Sequence, residues 1–152
     1  MMVAGSLTFS AGVAGAGTGK QHANPCRLLK TSDVEKVFGS DDIEAEGRDA
    51  SGFRCIWSVN GGLTGDGPQV SISYDTGPDA ATSFEGFSDS GKPVPGLGDD
   101  SYYNDLLGLH VLSDGEYLVV EADYGLLGED APSERQIKKD IVTLAKKALA
   151  RQ

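Results

Sequence analysis

Two apolar runs on either side of Asp114 and Gly115 form the most regular pattern of hydrophobic and polar positions in this chain. Asp-Gly is a preferred two-residue turn between antiparallel strands, so the pattern predicts a β-hairpin over residues 106–123. A turn of this length also sets the register, and residues opposed across the hairpin share one side of the sheet. One predicted face is apolar and favours a core position: Leu107, Leu109, Val111, Leu118, Val120 and Ala122.

The other face of the predicted hairpin mixes apolar and polar side chains: Leu106, His110, Leu112, Tyr117, Val119, Glu121 and Asp123. The register places Leu112 opposite Tyr117, and it places His110 opposite Val119 in the same way. If no other element covers Leu106, His110, Leu112, Tyr117 and Val119, they form an apolar patch rimmed by Glu121 and Asp123, which is a candidate binding surface. The alternative is that the segment 79–88 folds over this face and makes it ordinary core.

Shorter patterns predict the remaining strands and a helix between them. Apolar and polar residues alternate over 53–59 and again over 70–74, which is typical of half-buried strands. The segment 79–88 carries apolar residues at roughly helical spacing, so we expect a short helix there. The acidic stretch 40–52 has no period and predicts a surface loop. We expect the first hairpin strand to begin early, at the Tyr-Tyr pair, with a bulge near Asn104.

Capping residues predict a helix near each end of the folded region. Ser32 followed by Glu35 fits a capping box, and Gly39 is typical of a helix end. Ser133 with Gln136 marks the start of a C-terminal helix. Its apolar stripe is formed by Ile137, Ile141, Leu144, Ala145 and Ala148. Its basic residues lie off the stripe and are interpreted as a solvated face rather than a docking face: Arg135, Lys138, Lys139, Lys146, Lys147 and Arg151.

These elements predict one α+β domain over residues 24–152. Alternation along a strand buries one side of the sheet, and a half-buried sheet needs a helix to cover it. We therefore expect a two-layer sandwich with an antiparallel sheet of about four strands. The C-terminal helix packs on one face, and a short N-terminal helix precedes the first strand.

Residues 1–23 precede this domain and predict a signal peptide, or a disordered tail, followed by a linker. Residues 1–19 carry no charge, and the Ala-Gly-Ala sequence at 14–16 fits the small-x-small pattern of signal cleavage sites. The stretch is too short and too rich in glycine for a transmembrane helix. We therefore expect no integral membrane span in the mature chain.

Charge and cysteine content restrict the choice of partners and compartment. The 152 residues include 13 Lys and Arg against 23 Asp and Glu, which gives a net charge of −10. Such a charge disfavours nucleic acid and anionic membrane surfaces as partners. The two cysteines, Cys26 and Cys55, form either a disulfide or two unrelated buried thiols. An oxidising compartment would favour the disulfide, and a reducing one would favour the thiols.

Four short motifs in order resemble a family of small exported actinobacterial proteins of unknown function, many of them lipoproteins. The motifs are Asn-Pro-Cys-Arg-Leu-Leu at 24–29, Cys-x-Trp at 55–57, Val-Pro-Gly-Leu-Gly-Asp at 94–99 and Leu-Ala-Lys-Lys-Ala at 144–148. The resemblance covers residues 24–152 and implies a cell-envelope location, an α+β domain and a disulfide between Cys26 and Cys55. It supplies no catalytic residues. The chain departs from the lipoprotein pattern, because residues 1–25 contain no cysteine to take a lipid.

Catalytic and metal-binding chemistry is sparse in the sequence. Nucleophilic catalysis needs a nucleophile with a neighbouring base, and the segment 86–90 lacks the last glycine of a nucleophile elbow. His110 is the one histidine of the predicted domain, and we interpret it as packed or half-exposed on its strand. The acids Asp99, Asp100 and Asp105 do not have the spacing of a calcium loop. We therefore expect no metal and no cofactor.

The sequence favours a non-catalytic domain, secreted or in the cell envelope, that binds a protein or a small envelope molecule. The candidate binding residues are His110, Leu112, Tyr117 and Val119. One alternative is a hydrolase-type enzyme that uses His110 with nearby acidic residues. Another is a purely structural or inhibitory surface domain. An ordered pocket with convergent polar groups would favour the enzyme, and an exposed apolar sheet face would favour the other two.

Overall fold

The described residues of the computed structural model are 24–40, 43–48, 52–59, 67–124 and 131–152. A one-turn 3-10 helix at Pro25–Arg27 is followed by the helices α1 (Thr31–Phe38), α2 (Ala80–Ser88) and α3 (Glu134–Leu149). The strands are β1 (Ile43–Arg48), β2 (Arg54–Val59), β3 (Gln69–Asp75), β4 (Lys92–Pro93), β5 (Asp100–Asn104), β6 (Gly108–Ser113) and β7 (Glu116–Asp123). The predicted signal or linker segment, residues 1–23, lies outside the described residues.

All of the strands join one antiparallel sheet in the order β1-β2-β3-β7-β6-β5-β4. The predicted α+β class, the antiparallel sheet and the C-terminal helix are confirmed. The predicted number of about four strands is wrong. The sheet has six strands of five to eight residues, and the two-residue β4 extends its edge.

β1 lies within the stretch 40–52, which the sequence predicted to be a surface loop. It pairs with β2, and its register shifts between Ala45 and Gly47, so a bulge interrupts the ladder. Bulges and charged residues are common on edge strands because they discourage pairing with another chain. These features also remove the regular alternation by which a strand is recognised, and this explains the wrong prediction.

The β6–β7 hairpin has the predicted register. Leu112 pairs with Tyr117 and His110 with Val119. The turn residues Asp114 and Gly115 have φ values of 52° and 77°, the left-handed backbone that a two-residue type I′ turn requires. Local turn chemistry is therefore sufficient to set this part of the sheet.

β5 is a separate strand, and the predicted single strand with a bulge near Asn104 is wrong. The Asn104 side-chain oxygen accepts hydrogen bonds from the backbone N–H groups of Leu106 at 2.9 Å and Leu107 at 3.2 Å. These bonds form a turn that joins β5 to β6 as a second hairpin. Leu106 is 92% exposed at the tip, and Leu107 is exposed too, so Leu107 does not occupy the predicted core position.

The main core lies between one face of the sheet and the helices α1 and α3. The apolar face of the β6–β7 hairpin is buried there through Leu109, Val111, Leu118 and Val120. The apolar stripe of α3 covers it with Ile141, Leu144, Ala145 and Ala148, while Ile137 is half-buried. Ser133 caps α3 as predicted, because its hydroxyl accepts from the Gln136 N–H at 3.3 Å.

α1 begins one residue before the predicted capping box. Its N-cap is Lys30, and the Asp33 carboxylate accepts from the Lys30 N–H at 3.1 Å. The acid at the third helical position is thus Asp33 and not Glu35, so the predicted Ser32–Glu35 box is wrong. A carboxylate three residues into a helix also suits the positive helix N-terminus.

Cys26, in the 3-10 turn, and Cys55, in β2, lie at disulfide distance, with an Sγ–Sγ separation of 2.10 Å and a Cα–Cα separation of 5.2 Å. The pair ties the start of the described chain to the sheet. Over the described residues, no helix is long and apolar enough to cross a membrane.

Candidate functional site

The four predicted binding residues lie together on the sheet face opposite α3. His110 and Leu112 come from β6, and Tyr117 and Val119 come from β7, because residues at alternate positions of paired strands share a face. Helix α2 packs over this face through Ala80 and Phe84, and Tyr102 of β5 completes a second apolar cluster.

This arrangement matches the covering alternative rather than the open patch. His110 is 4% exposed and Tyr117 is 8% exposed, while Leu112 and Val119 are half-buried. The segment 79–88 is helical and covers the hairpin, so the four residues contribute to packing beneath α2. Whether they also contribute to binding stays a prediction.

Aromatic rings surround His110. Its imidazole lies nearly parallel to the Tyr102 ring, with centroids 4.6 Å apart and planes 9° apart. Its Nδ1 lies 2.5 Å from the Tyr117 hydroxyl oxygen, and a hydrogen bond joins the two groups. The Phe87 ring of α2 stacks on the imidazole as well, with a centroid distance of 6.3 Å. The imidazole is therefore held in one orientation by packing and by one hydrogen bond.

Burial sets the protonation states of this cluster. It lowers the pKa of His110 below the ordinary value of 6.5, against the opposing effects of the Leu107 carbonyl and the Glu121 carboxylate. Burial also raises the pKa of the Tyr117 phenol, and the nearby Tyr102 hydroxyl raises it further. At neutral pH both side chains are therefore uncharged, as expected for groups within an apolar layer.

A groove of about 270 Å³ opens on this same face, between α2 and the residue that precedes β2. We call it the α2 groove, and its lining residues are Phe53, Ser73, Tyr74, Asp75, Ser83, Tyr117 and Val119. Two cross-strand pairs of β3 and β7 form its floor, Ser73 opposite Val119 and Asp75 opposite Tyr117. Ser83 of α2 lies on one side, and Phe53 lies on the other.

The lining of the α2 groove is mainly apolar with a few polar groups at its margin. Phe53 is 41% exposed there, although large aromatic side chains are usually more deeply buried. Two hydroxyls, those of Ser73 and Ser83, and one carboxylate, that of Asp75, supply polarity. A concave apolar surface with a small number of polar groups is the usual composition of a small-molecule site.

Two other depressions are larger but less suited to a ligand. One, of about 370 Å³, lies beside the Cys26–Cys55 pair, with the exposed Arg27 and Lys30 in its lining. Another, of about 340 Å³, lies at the β5–β6 turn, and four of its nine lining residues are charged: Arg54, Asp105, Glu121 and Asp123. Charged side chains keep their charged ends in water, so hydrated groups border both depressions.

Two ion-pair networks elsewhere brace the fold. Arg54 donates to Glu121 at 2.5 Å and to the Ser71 hydroxyl at 2.8 Å, which links β2, β3 and β7. Asp33 of α1 pairs with Arg151 at 2.6 Å and with Lys147 of α3 at 3.1 Å. Burial alone would raise the pKa of Asp33, but hydrogen bonds from Arg151, Lys30 and Lys147 outweigh it and hold that pKa well below the usual range. Two of the six basic residues in and just after α3, Lys147 and Arg151, thus form ion pairs within the domain.

The acids considered for calcium serve other contacts. The Asp99 carboxylate accepts from the Asp114 N–H at 2.8 Å, and Asp105 pairs with Lys92 at 3.5 Å. Asp100 accepts from the Ser101 N–H at 2.8 Å. Within the described ranges, no group of three or more His, Cys, Asp or Glu side chains is arranged to hold a metal ion.

Sequence reasoning placed Tyr117 and Val119 correctly on the second face but missed the rest of the groove lining. Alternation along β3 put Ser73 on a polar face, yet nothing local indicated that β3 pairs with β7. The alternation over 53–59 predicts that Phe53 begins a strand, but it lies just before β2 and is exposed. The one sequence signal for this site was the presence of a large aromatic residue, Phe53, at the margin of a predicted strand.

The chain matches no family model, no curated protein and no solved structure. Function is therefore inferred from the geometry of this site and the chemistry of its residues.

Proposed function

We propose that this chain is a non-catalytic binding domain, secreted or in the cell envelope, and that it binds a small envelope molecule. An apolar group of that molecule occupies the α2 groove. The observation that carries the proposal is the groove itself, an apolar depression between a helix and a sheet with polar groups at its margin. Its volume of about 270 Å³ suits one aromatic ring or a short aliphatic chain rather than a large ligand.

The predicted binding residues support this site in two ways. Tyr117 and Val119 line the groove directly. His110 and Leu112 lie beside them under α2, where they hold the groove floor in place. A site whose floor is formed by paired strands is rigid, and a preformed site loses little entropy on binding.

The environment of His110 supports a binding role over hydrolysis. A general base must reach the proton that it removes, directly or through one water. His110 is buried, its Nδ1 contacts Tyr117, and it is not among the residues that line the groove. The lowered pKa of the imidazole follows from burial in an apolar layer, which needs no catalytic explanation.

The cysteine pair supports an extracytoplasmic location. Disulfides form and persist in oxidising compartments and are rare in the cytosol, and Cys26 and Cys55 lie at disulfide distance. The uncharged N-terminal stretch and the resemblance to small exported actinobacterial proteins favour the same location. The net charge of −10 favours partners other than nucleic acid.

The test is a titration of isotope-labelled protein with 2-phenylethanol and n-butanol as neutral probes of the groove, followed by NMR. Neutral fragments of this size bind weakly, with dissociation constants on the order of 1 mM. We expect the amide signals of Ser73, Ser83 and Val119 to shift together. A Ser73→Phe variant fills the floor of the groove and should abolish the shifts.

The matched control is Gln69→Phe, because Gln69 lies on the same strand and the same face but does not line the groove. This variant should bind the probes like the unaltered protein. Binding that survives Ser73→Phe, or shifts confined to another surface, would contradict the proposal.

A further inference from the structure

We propose that the natural ligand of the α2 groove is a small organic cation, an apolar group that carries an ammonium, and that Asp75 binds its charge. The inference rests on the proposed function and assigns the class of ligand. It depends on three observations: the position of Asp75, the absence of a cation from the described lining, and the aromatic rings beside the carboxylate.

Asp75 ends β3 and lies opposite Tyr117 on the groove face. One of its carboxylate oxygens, Oδ1, accepts from the Gly77 N–H at 2.8 Å, which fixes the orientation of the group. Among the described residues, the other oxygen has no hydrogen-bonding partner and no ion pair. A half-buried carboxylate in a fixed orientation therefore presents one acceptor oxygen to the groove.

Asp75 is the one acidic side chain of the described groove lining, and that lining contains no basic side chain. Tyr117 stays protonated because burial raises the pKa of its phenol. Arg54 of β2 lies opposite Ser73 of β3 in the sheet register, which places it near the groove. Its guanidinium, however, donates hydrogen bonds to the Glu121 carboxylate and the Ser71 hydroxyl. A carboxylate beside apolar surface, with no cation among the described side chains to neutralise it, favours a ligand of positive charge.

The aromatic part of the lining suits the same ligand. Phe53 and Tyr117 lie in the groove with Asp75. Ring faces attract ammonium groups, most strongly where water is partly excluded, and the same rings pack against the apolar body of the ligand. The net charge of −10 also raises the local concentration of cations near the protein.

The test compares three probes that share a phenyl ring and a short chain: 2-phenylethylamine, 2-phenylethanol and 3-phenylpropanoate. NMR titrations at neutral pH and low salt give a dissociation constant for each probe. We expect the amine to bind about tenfold more tightly than the alcohol, since charge-assisted hydrogen bonds are the stronger kind, and the carboxylate to bind most weakly. Added salt should reduce the preference for the amine.

Asp75→Asn should bind the amine and the alcohol equally, because the amide keeps an oxygen for Gly77 and loses the charge. Asp79→Asn is the matched control, since it removes one exposed acid next to α2 that does not line the groove. It should retain the preference for the amine. If the alcohol binds as tightly as the amine in the unaltered protein, the cation assignment is wrong and the groove remains a binding site. If no probe shifts the groove signals, both proposals are wrong.

Discussion

At the scale of single residues, His110 shows how burial decides what a titratable group does. An imidazole stacked on Tyr102 and bonded to Tyr117 beneath α2 gains packing contacts but loses access to water. Charging it in this layer costs free energy, because the apolar surroundings do not solvate an imidazolium. The group that the sequence offered as a candidate base is therefore a source of acid sensitivity.

We expect the free energy of unfolding to fall as the pH drops below about 6.5, the ordinary pKa of histidine. The pKa of His110 is lower in the folded state, so the unfolded chain binds more protons in mildly acidic solution. The stability that the neutral imidazole contributes is thus complete above that value and is lost progressively below it. Urea unfolding at about pH 7.5 and at about pH 5 measures the difference.

His110→Phe keeps a planar ring in this layer and removes the titration. The variant should show a smaller loss of stability between the two pH values than the unaltered protein. Equal losses in both proteins would mean that other groups cause the acid sensitivity. The lower pH stays above the range in which Asp33 is protonated, since ion pairing holds the pKa of that carboxyl well below its usual value.

At the scale of elements, the turn between β5 and β6 depends on one glycine. Gly108 has a φ of 85°, and an added Cβ would lie 2.5 Å from the Val120 carbonyl oxygen and 2.9 Å from Glu121 Cγ. The backbone of β7 cannot move away without disturbing the centre of the sheet. This glycine therefore allows two strands to approach each other where a side chain would separate them.

We expect Gly108→Ala to destabilise the domain by about 3 kcal/mol or more, since it combines backbone strain with a clash against main-chain atoms. Gly86→Ala is the comparison, because Gly86 lies inside α2 and its added Cβ would meet nothing within 4 Å. That change should stabilise the helix by roughly 0.5–1 kcal/mol. Thermal and urea unfolding of both variants checks the two signs, and a Gly108→Ala protein of unchanged stability would refute the close approach.

At the scale of the whole molecule, the sheet is covered on both faces. α1 and α3 cover one face with the larger core, and α2 covers part of the other with the smaller aromatic cluster. The Cys26–Cys55 pair joins the N-terminal turn to β2, and Arg151 donates to the Leu28 carbonyl at 3.0 Å. Both ends of the described chain are therefore tied to the same core.

Replacing Cys26 and Cys55 together with alanine should lower the free energy of unfolding by roughly 3–4 kcal/mol. The cysteines are 29 residues apart, and a cross-link of that span restricts the unfolded chain by about this amount in the chain-entropy model. Urea unfolding of the variant and of the reduced protein should give similar values. Thiol titration of the unreduced, unfolded protein is the independent check, and two reactive thiols would disprove the disulfide.

The amino-acid sequence by itself determined the elements whose signals are local. The Asp114-Gly115 turn set the β6–β7 register, and the spacing of Ile141, Leu144 and Ala148 set the buried side of α3. The hairpin register and the buried side of α3 both depend on interactions within a few residues of the chain, so they can be predicted without knowledge of the fold. The α+β class follows from the same periodicities.

The tertiary structure alone decided what depends on distant segments meeting. β1 and β5 are strands because β2 and β6 supply their hydrogen bonds, although their own patterns are short or interrupted. The α2 groove exists because β3 pairs with β7, which brings Asp75 opposite Tyr117, and because α2 covers the hairpin only in part. Strand pairing between remote segments is chosen by how all faces pack at once, and no single stretch of sequence carries that information.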